Sequence, residues 1–268
     1  MRIAITGATG FIGARLVQHL QASHEILALH REQTDQLPSF DLSQPASLRI
    51  SLEHIEADIF IHAGGMARRR QCEIDPALAY IVNVEATRVI TEWCAIRGIK
   101  LLFFSSVGIY ESNTYARTKH LAEQKIEEVG VNASILRLAY AFGMSSSKSR
   151  PKPQMRLENE ARQPGSQFFD HSWRFQPTSL NHVCKVVESF IDQYGTFPKK
   201  TNIVTTESTT MYALAAACSA HEVHSRPDHL ERESQYINTL DLLAAQLPTY
   251  SLEELYTEAR EILSSIQS

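Results

Sequence analysis

The chain has 268 residues, 43% of them hydrophobic and 21% charged, which suits one large folded domain or a main domain with a smaller attachment. Its 26 Lys and Arg against 30 Asp and Glu leave no positive field able to hold a phosphate backbone, excluding nucleic acid as the main partner. The longest apolar runs, Ile59 to Ala63 and Lys100 to Phe104, are strand-length and fall short of the roughly 20 residues that a membrane span needs.

In chain order, short β-branched runs alternate with helical stretches over the first two thirds, the pattern of an α/β protein with a Rossmann-type, doubly wound parallel sheet. Met1 to Thr6 enters a strand at once, with no charged n-region or apolar h-region, so no export signal is expected. Strands are expected at Arg2 to Thr6, Glu25 to His30, Asp58 to His62, Lys100 to Ser105, Ala133 to Leu138 and Asn202 to Thr205. Between them lie helices at Phe11 to Ala22, Asp75 to Arg97 and Tyr115 to Val129, the second opened by Asp75 and Pro76 and closed by Gly98. Residues 144 to 153 read as a polar, proline-bearing loop. Further helices are expected at Pro153 to Arg162, Leu180 to Tyr194 and Ser251 to Ser264, with an aromatic patch at Phe168 to Phe175 and a capping box at Ser251 and Glu254. The expected organisation is a dinucleotide-binding core over 1–140, to which 179–206 returns. A small, mostly helical substrate lobe over 141–178 and 207–268 folds over the sheet edge. The cysteines, Cys72, Cys94, Cys184 and Cys218, lack CxxC pairing and ligand spacing, which suits a reducing cytoplasm.

Thr6-Gly7-Ala8-Thr9-Gly10-Phe11-Ile12-Gly13 follows a strand and opens a helix, where spaced glycines have a mechanical purpose. Gly7 permits the tight turn, Gly10 lets the backbone approach a pyrophosphate, and Gly13 lets helix and strand pack closely. The anion rests on the helix N-terminus, so Gly7, Thr9, Gly10, Phe11, Ile12 and Gly13 are candidate cofactor-binding residues. The second strand ends in His30 and Arg31 where NAD sites place an acidic residue. A guanidinium there suits a 2′-phosphate, favouring NADP(H), while Glu32 leaves NAD(H) open. Asp41 and Leu42 are in place to meet the adenine edge.

Tyr115 and Lys119 stand four residues apart, on one face of a helix. A free tyrosine titrates near ~10, so ionising it near neutrality takes roughly 4 kcal/mol of differential stabilisation, much of which a neighbouring lysine can supply. Ser106 is expected to steady a substrate oxygen, with Ser105 as the alternative, since both end a strand where open α/β sheets bind ligands. Anion contacts are sought among Arg68, Arg69, Arg70, Arg137, Lys148, Arg150, Lys152 and Arg174, with Arg174 and the Arg68 group preferred. His221 and His224 lack a third ligand, so no metal is expected.

TGATGFIG at Thr6, HAGG at His62, NVEAT at Asn83, SSVGIY at Ser105, YARTK at Tyr115 and LRLAYAFG at Leu136 together resemble the extended short-chain dehydrogenase/reductase family. The segments from Asp41, Arg68 and Arg174 are most similar to its dTDP-4-dehydrorhamnose reductase branch, whose members reduce 4-keto sugar nucleotides with a nicotinamide. The resemblance implies Tyr115 as general acid, Lys119 on the nicotinamide ribose and lowering the tyrosine pKa, and Ser106 on the carbonyl oxygen. It also implies Asn83 on the active-site helix, and Ala63 and Gly64, with His62, along the cofactor. A homodimer through the helices 75–97 and 115–129 is implied as well. Only four residues separate Tyr110 from Tyr115, where many relatives carry a long substrate loop, so a shallower pocket is expected. The partner is then a nucleotide sugar or another small carbonyl compound. Two other activities fit the same residues: an NAD-dependent nucleotide-sugar 4-epimerase or dehydratase, and a non-catalytic nucleotide-binding regulatory subunit similar to the β subunit of methionine adenosyltransferase.

Overall fold

The structure is a computed structural model describing residues 1–32, 39–144, 168–193, 196–217, 219, 222–226 and 236–267. From Arg2 to Leu138 the chain runs β1 (Arg2–Thr6), α1 (Phe11–Leu20), β2 (Glu25–Leu29), α2 (Pro45–Leu52), β3 (Ile59–His62), α3 (Arg69–Ile74) and α4 (Pro76–Tyr80). A π-helical turn (Ile81–Glu85) follows, then α5 (Ala86–Arg97), β4 (Lys100–Ser106), α6 (Thr114–Val129) and β5 (Ala133–Leu138). Next come β6 (Ala141–Phe142), β7 (Phe168–Asp170), β8 (Arg174–Phe175), β9 (Thr178–Ser179), α7 (Leu180–Asp192) and β10 (Lys200–Ile203). The last elements are β11 (Thr209–Thr210), α8 (Met211–Ala217), β12 (His224–Arg226), α9 (Leu240–Ala244) and α10 (Leu252–Gln267).

Six strands form one sheet in the order β10-β5-β4-β3-β1-β2, and β1 pairs in parallel with both β2 and β3. The chain leaves β1 for β2 on one side and returns to β3 on the other. That reversal opens a crevice at the carboxyl ends of β1 and β3, where open α/β sheets bind ligands. The strands read as near-continuous apolar runs because both faces are covered: Ile3, Ile5, Ile59, Phe60, Ile61, Leu101 and Phe103 are fully buried. One core under this sheet packs Phe60 edge-on to Trp93, with Phe40, Leu48, Ile90 and Ile126 around it.

The chain divides into two compact units, the first comprising Met1–Arg137 and, among the described residues, 196–201. Of the 179–206 stretch expected to rejoin the dinucleotide core, α7 instead belongs to the second unit. Ser179 caps α7 there and donates to Glu258 at 2.6 Å, while His182 Nε2 bonds the Pro248 carbonyl at 2.7 Å. The second unit has its own core, of Phe142, Phe175, Leu214, Tyr250, Leu255 and Ile262.

The helix expected over Asp75 to Arg97 begins as anticipated. Asp75 accepts the Leu78 amide at 2.9 Å, Pro76 stands in the first turn, and Gly98 ends the segment at φ +67°. It is not one α-helix, because the turn Ile81–Glu85 widens to π geometry around Asn83. The strand expected at Asn202 to Thr205 lies at Lys200–Ile203. The capping box forms, with the Glu254 amide donating to Ser251 Oγ at 3.2 Å and the Ser251 amide donating to Glu254 Oε2 at 2.8 Å. The expected loop at 144–153 and the helix Pro153 to Arg162 lie outside the described residues, apart from Met144. Among the described residues no helix is long and apolar enough to cross a membrane.

Candidate active site

The glycine turn is built so that main chain meets main chain. Gly7 sits at φ +67°, and a Cβ placed on it would lie 2.8 Å from the Cα of Gly64. A Cβ on Gly13 would lie 2.2 Å from the Gly7 carbonyl oxygen, so α1 can cross the end of β1 only with glycine there. The Gly10 amide donates to Gly7 O at 2.8 Å. Gly10 is the N-cap of α1, without a side-chain cap, and the first turn carries no acidic residue of its own to offset the helix's positive end. This cradle fits the pyrophosphate of a dinucleotide, with Gly7, Thr9, Gly10, Phe11, Ile12 and Gly13 on the strand-to-helix turn and half-buried Ala63 and Gly64 opposite.

His30 directly follows β2, its carbonyl accepting the Phe40 amide at 2.8 Å. Arg31 is 81% exposed and stands 3.8 Å from an oxygen of Asp41, which also accepts the amide and hydroxyl of Ser43. Leu42 reaches the Gly64 turn: a Cβ on Gly64 would be 2.8 Å from Leu42 Cδ1.

Ser106, at the end of β4, and Tyr115, on α6, are both half-buried, and the Ser106 hydroxyl pulls the phenol's pKa down. The Ser106 oxygen also accepts the Gly108 amide at 3.1 Å. Ser105 points the other way, donating to Glu123 Oε1 at 2.5 Å, so Ser106 is the hydroxyl that shares Tyr115's surroundings. Lys119 is 7% exposed and its Nζ donates to the Phe104 carbonyl at 2.6 Å. Burial pulls its pKa down to about 8, against the opposing pull of Glu123 and Cys72.

The expectation that Lys119 acidifies Tyr115 is not met in this structure. Burial raises the phenol's pKa, the Ser106 hydroxyl and the charge of Arg69 work against that rise, and Cys72 and Glu111 add to it. The ammonium is turned to the Phe104 carbonyl, and the cation acting on the phenol is Arg69, held to Glu111 by N–O contacts of 2.7 and 2.8 Å. Asn83 bonds neither Tyr115 nor Lys119 through its side chain. Its Oδ1 accepts the Met66 amide at 2.7 Å, and its Nδ2 donates to Met66 O and to Thr118 Oγ1. His62 offers the cofactor no free nitrogen, because both ring nitrogens are engaged beneath the crevice, by Thr6 and by Thr87.

Arg137 is not a free anion contact, since it pairs with buried Glu123 through Nε at 3.0 Å and Nη2 at 2.6 Å. Arg174 lies in the second unit, bonded to Ser208 through Nε at 3.1 Å and Nη2 at 2.7 Å. Arg68 and Arg70 are exposed, and Arg68 is the N-cap residue of α3. Lys148, Arg150, Lys152, His221 and Cys218 lie outside the described residues. Among the described residues no group of three His, Cys, Asp or Glu side chains could hold a metal ion. Glu123 was legible as the next i,i+4 step after Tyr115 and Lys119, whereas nothing in the sequence linked Arg69 to Glu111.

A sheet with a glycine cradle at its topological switch point, beside a helix carrying Tyr and Lys one turn apart, defines a Rossmann-type α/β protein of the short-chain dehydrogenase/reductase kind. The chain belongs to the RmlD substrate binding domain family, whose model matches residues 1–252. It is similar to methionine adenosyltransferase 2 subunit beta of Rattus norvegicus, 22% identical over 249 residues, covering 84% of this chain and 75% of that one. A dTDP-4-dehydrorhamnose reductase of Clostridium acetobutylicum superposes with a TM-score of 0.83 at 16% identity, covering all of both chains. A dTDP-4-dehydrorhamnose reductase of Bacillus anthracis, solved in complex with NADP, gives a TM-score of 0.79 at 17% identity, covering 100% of this chain and 98% of that one.

Proposed function

We propose that this chain is an NADP(H)-dependent oxidoreductase that reduces a keto group of a nucleotide-linked sugar. The observation that carries the proposal is the placement of Ser106, Tyr115 and Lys119 within the unit that also holds the glycine cradle. The kinship with dTDP-4-dehydrorhamnose reductases, one of them solved with NADP, supports the same reading. The cradle holds the pyrophosphate, and Arg31, steadied by Asp41, takes the 2′-phosphate. The reduced nicotinamide, when bound, supplies the hydride to the carbonyl carbon. Tyr115 gives its phenolic proton to the carbonyl oxygen, and its raised pKa keeps that proton in place at neutral pH until the oxygen turns basic. Ser106 donates to the same oxygen and then to the phenolate left behind, and Lys119 holds the ribose hydroxyls. The gain comes from orientation and from stabilising the developing alkoxide. A homodimer through α4, α5 and α6 belongs to this reading.

A non-catalytic role is favoured by the likeness to the methionine adenosyltransferase subunit, which spans most of the chain. Incubating the protein with NADPH or NADH and a panel of keto-sugar nucleotides, and following loss of the reduced-nicotinamide absorbance, separates the two. Consumption of NADPH is expected. Absence of turnover across the panel, with Tyr115→Phe leaving the protein's cellular role intact, would replace this proposal with the regulatory one. Bound NAD that is retained without net consumption while the sugar inverts would point to an epimerase.

A further inference from the structure

Two directional runs of hydrogen bonds, joined through the covalent frame of Asn83, lead from the glycine crevice to the helix that carries Tyr115. The Thr87 hydroxyl donates to the main-chain carbonyl of Asn83 at 2.7 Å, so only its lone pairs face His62 Nε2 at 3.1 Å. That nitrogen therefore carries the ring proton. The imidazole is 1% exposed, and burial, with the charge of Lys119 adding to it, drives its pKa down to about 3. The ring is neutral, and Nδ1 is the bare acceptor. It receives the Thr6 hydroxyl proton at 2.7 Å, and Thr6 Oγ1 in turn accepts the Gly64 amide at 3.0 Å. The first run ends on the Asn83 main-chain carbonyl, and a second starts from the same residue's side chain: Nδ2 donates to Thr118 Oγ1 at 3.0 Å, and the Thr118 hydroxyl donates to the Tyr115 carbonyl at 2.9 Å.

Every hydroxyl in the two runs both accepts and donates, so each run has a single sense, and the second is anchored by the further bond from Asn83 Nδ2 to Met66 O. An imidazole suits the centre of the first run because it carries a donor and an acceptor on opposite edges of a rigid ring. Contact with Phe103, whose ring centroid is 5.5 Å away, limits rotation of that ring.

We propose that His62 is a positioning residue: through Thr87 and Asn83 it couples filling of the Gly7–Gly64 crevice to the seating of Tyr115, without touching substrate. The inference rests on the coenzyme reading given above, and its test uses hydrogen exchange as well as turnover.

Wild-type protein and the variants Thr87→Val, His62→Phe and His62→Asn are titrated with NADPH by its fluorescence. Amide exchange is then followed at residues 7–13 and 114–120 with and without NADPH. Wild type is expected to gain protection in both segments. Thr87→Val, which lies outside the crevice, is expected to bind NADPH within about threefold of wild type, lose the added protection at 114–120 only, and lose about tenfold in kcat with an unchanged coenzyme KM. His62→Phe behaves likewise, and His62→Asn, keeping one donor and one acceptor, recovers part of the protection. If Thr87→Val retains the full NADPH-dependent protection at 114–120, the coupling is overturned, whether or not His62→Phe folds. Wild type that binds NADPH but reduces no keto sugar removes the reductase assignment and leaves the exchange comparison to decide on His62. Wild type that binds no NADPH overturns both.

Discussion

Lys119 shows most directly how burial sets chemistry in this protein. Its folded pKa of about 8 lies below the 10.5 of a free lysine, so between those values the unfolded chain binds the extra proton and stability rises with pH. Below that window the buried ammonium costs about 3 kcal/mol, a penalty absent when the residue is uncharged. Lys119→Met should therefore gain on wild type at about pH 7 and lose most of that advantage by about pH 10, as urea melts at the two values would read. A difference that stays constant with pH would place the ammonium in water. In the proposed chemistry, Tyr115→Phe removes the proton donor alone. It should lower kcat by about 10²–10⁴-fold while thermal unfolding and NADPH affinity stay near wild type, and retention of kcat would take the phenol out of the chemistry. The YxxxK spacing made Tyr115 and Lys119 legible because helical periodicity alone puts them on one face. The direction of the phenol's pKa was not legible, because burial in the folded chain sets it, against Ser106 and against Arg69, which arrives from α3.

At the scale of elements, α6 is tied to the sheet by a buried carboxylate. Glu123 is 1% exposed and receives the Ser105 hydroxyl and both arms of Arg137. Glu123→Leu leaves Arg137 without its counter-charge and should cost about 3–5 kcal/mol, whereas Glu123→Leu with Arg137→Met should recover much of that loss. Chemical denaturation of the two variants checks it, and equal losses would mean the pair acts by packing alone. Gly13→Ala drives a methyl into the Gly7 carbonyl, so α1 must shift. A drop of about 1–3 kcal/mol is expected, with NADPH binding lost in a fluorescence titration. The alternation of strands and helices was readable because buried parallel strands are apolar throughout and the caps at Asp75, Gly98 and Ser251 have local causes. The π turn was not, since what stabilises it is Asn83 bonding Met66 and Thr118, which lie 17 and 35 positions away in the chain. Helices α2 and α3 were not legible either, because α2 spaces Leu48, Ile50 and Leu52 two apart, as a strand would, and α3 is six residues long, under two turns.

For the molecule as a whole, a ligand that binds only the folded state raises stability in proportion to the logarithm of its concentration over Kd, about 2.7 kcal/mol at one hundred times Kd. NADPH should raise the melting temperature more than equimolar NADH, and Arg31→Ala should narrow the gap. Equal shifts from both coenzymes in wild type would remove Arg31 from its assigned contact. The family match and the sheet order account for the crevice, while in the proposed reading coenzyme choice turns on one exposed guanidinium beside Asp41. The two long helices that precede β4 and β5 both stop on a glycine in the left-handed region, Gly98 at φ +67° and Gly130 at φ +69°, and around each a methyl group would find nothing within 4 Å. Handedness, not crowding, is what forbids other residues there. Mirror-image alanine, introduced by chemical ligation, would fit both corners without strain and stiffen the denatured chain by about 0.4–1 kcal/mol apiece. The whole protein could then be hardened against heat through its stereochemistry, at two points remote from Tyr115.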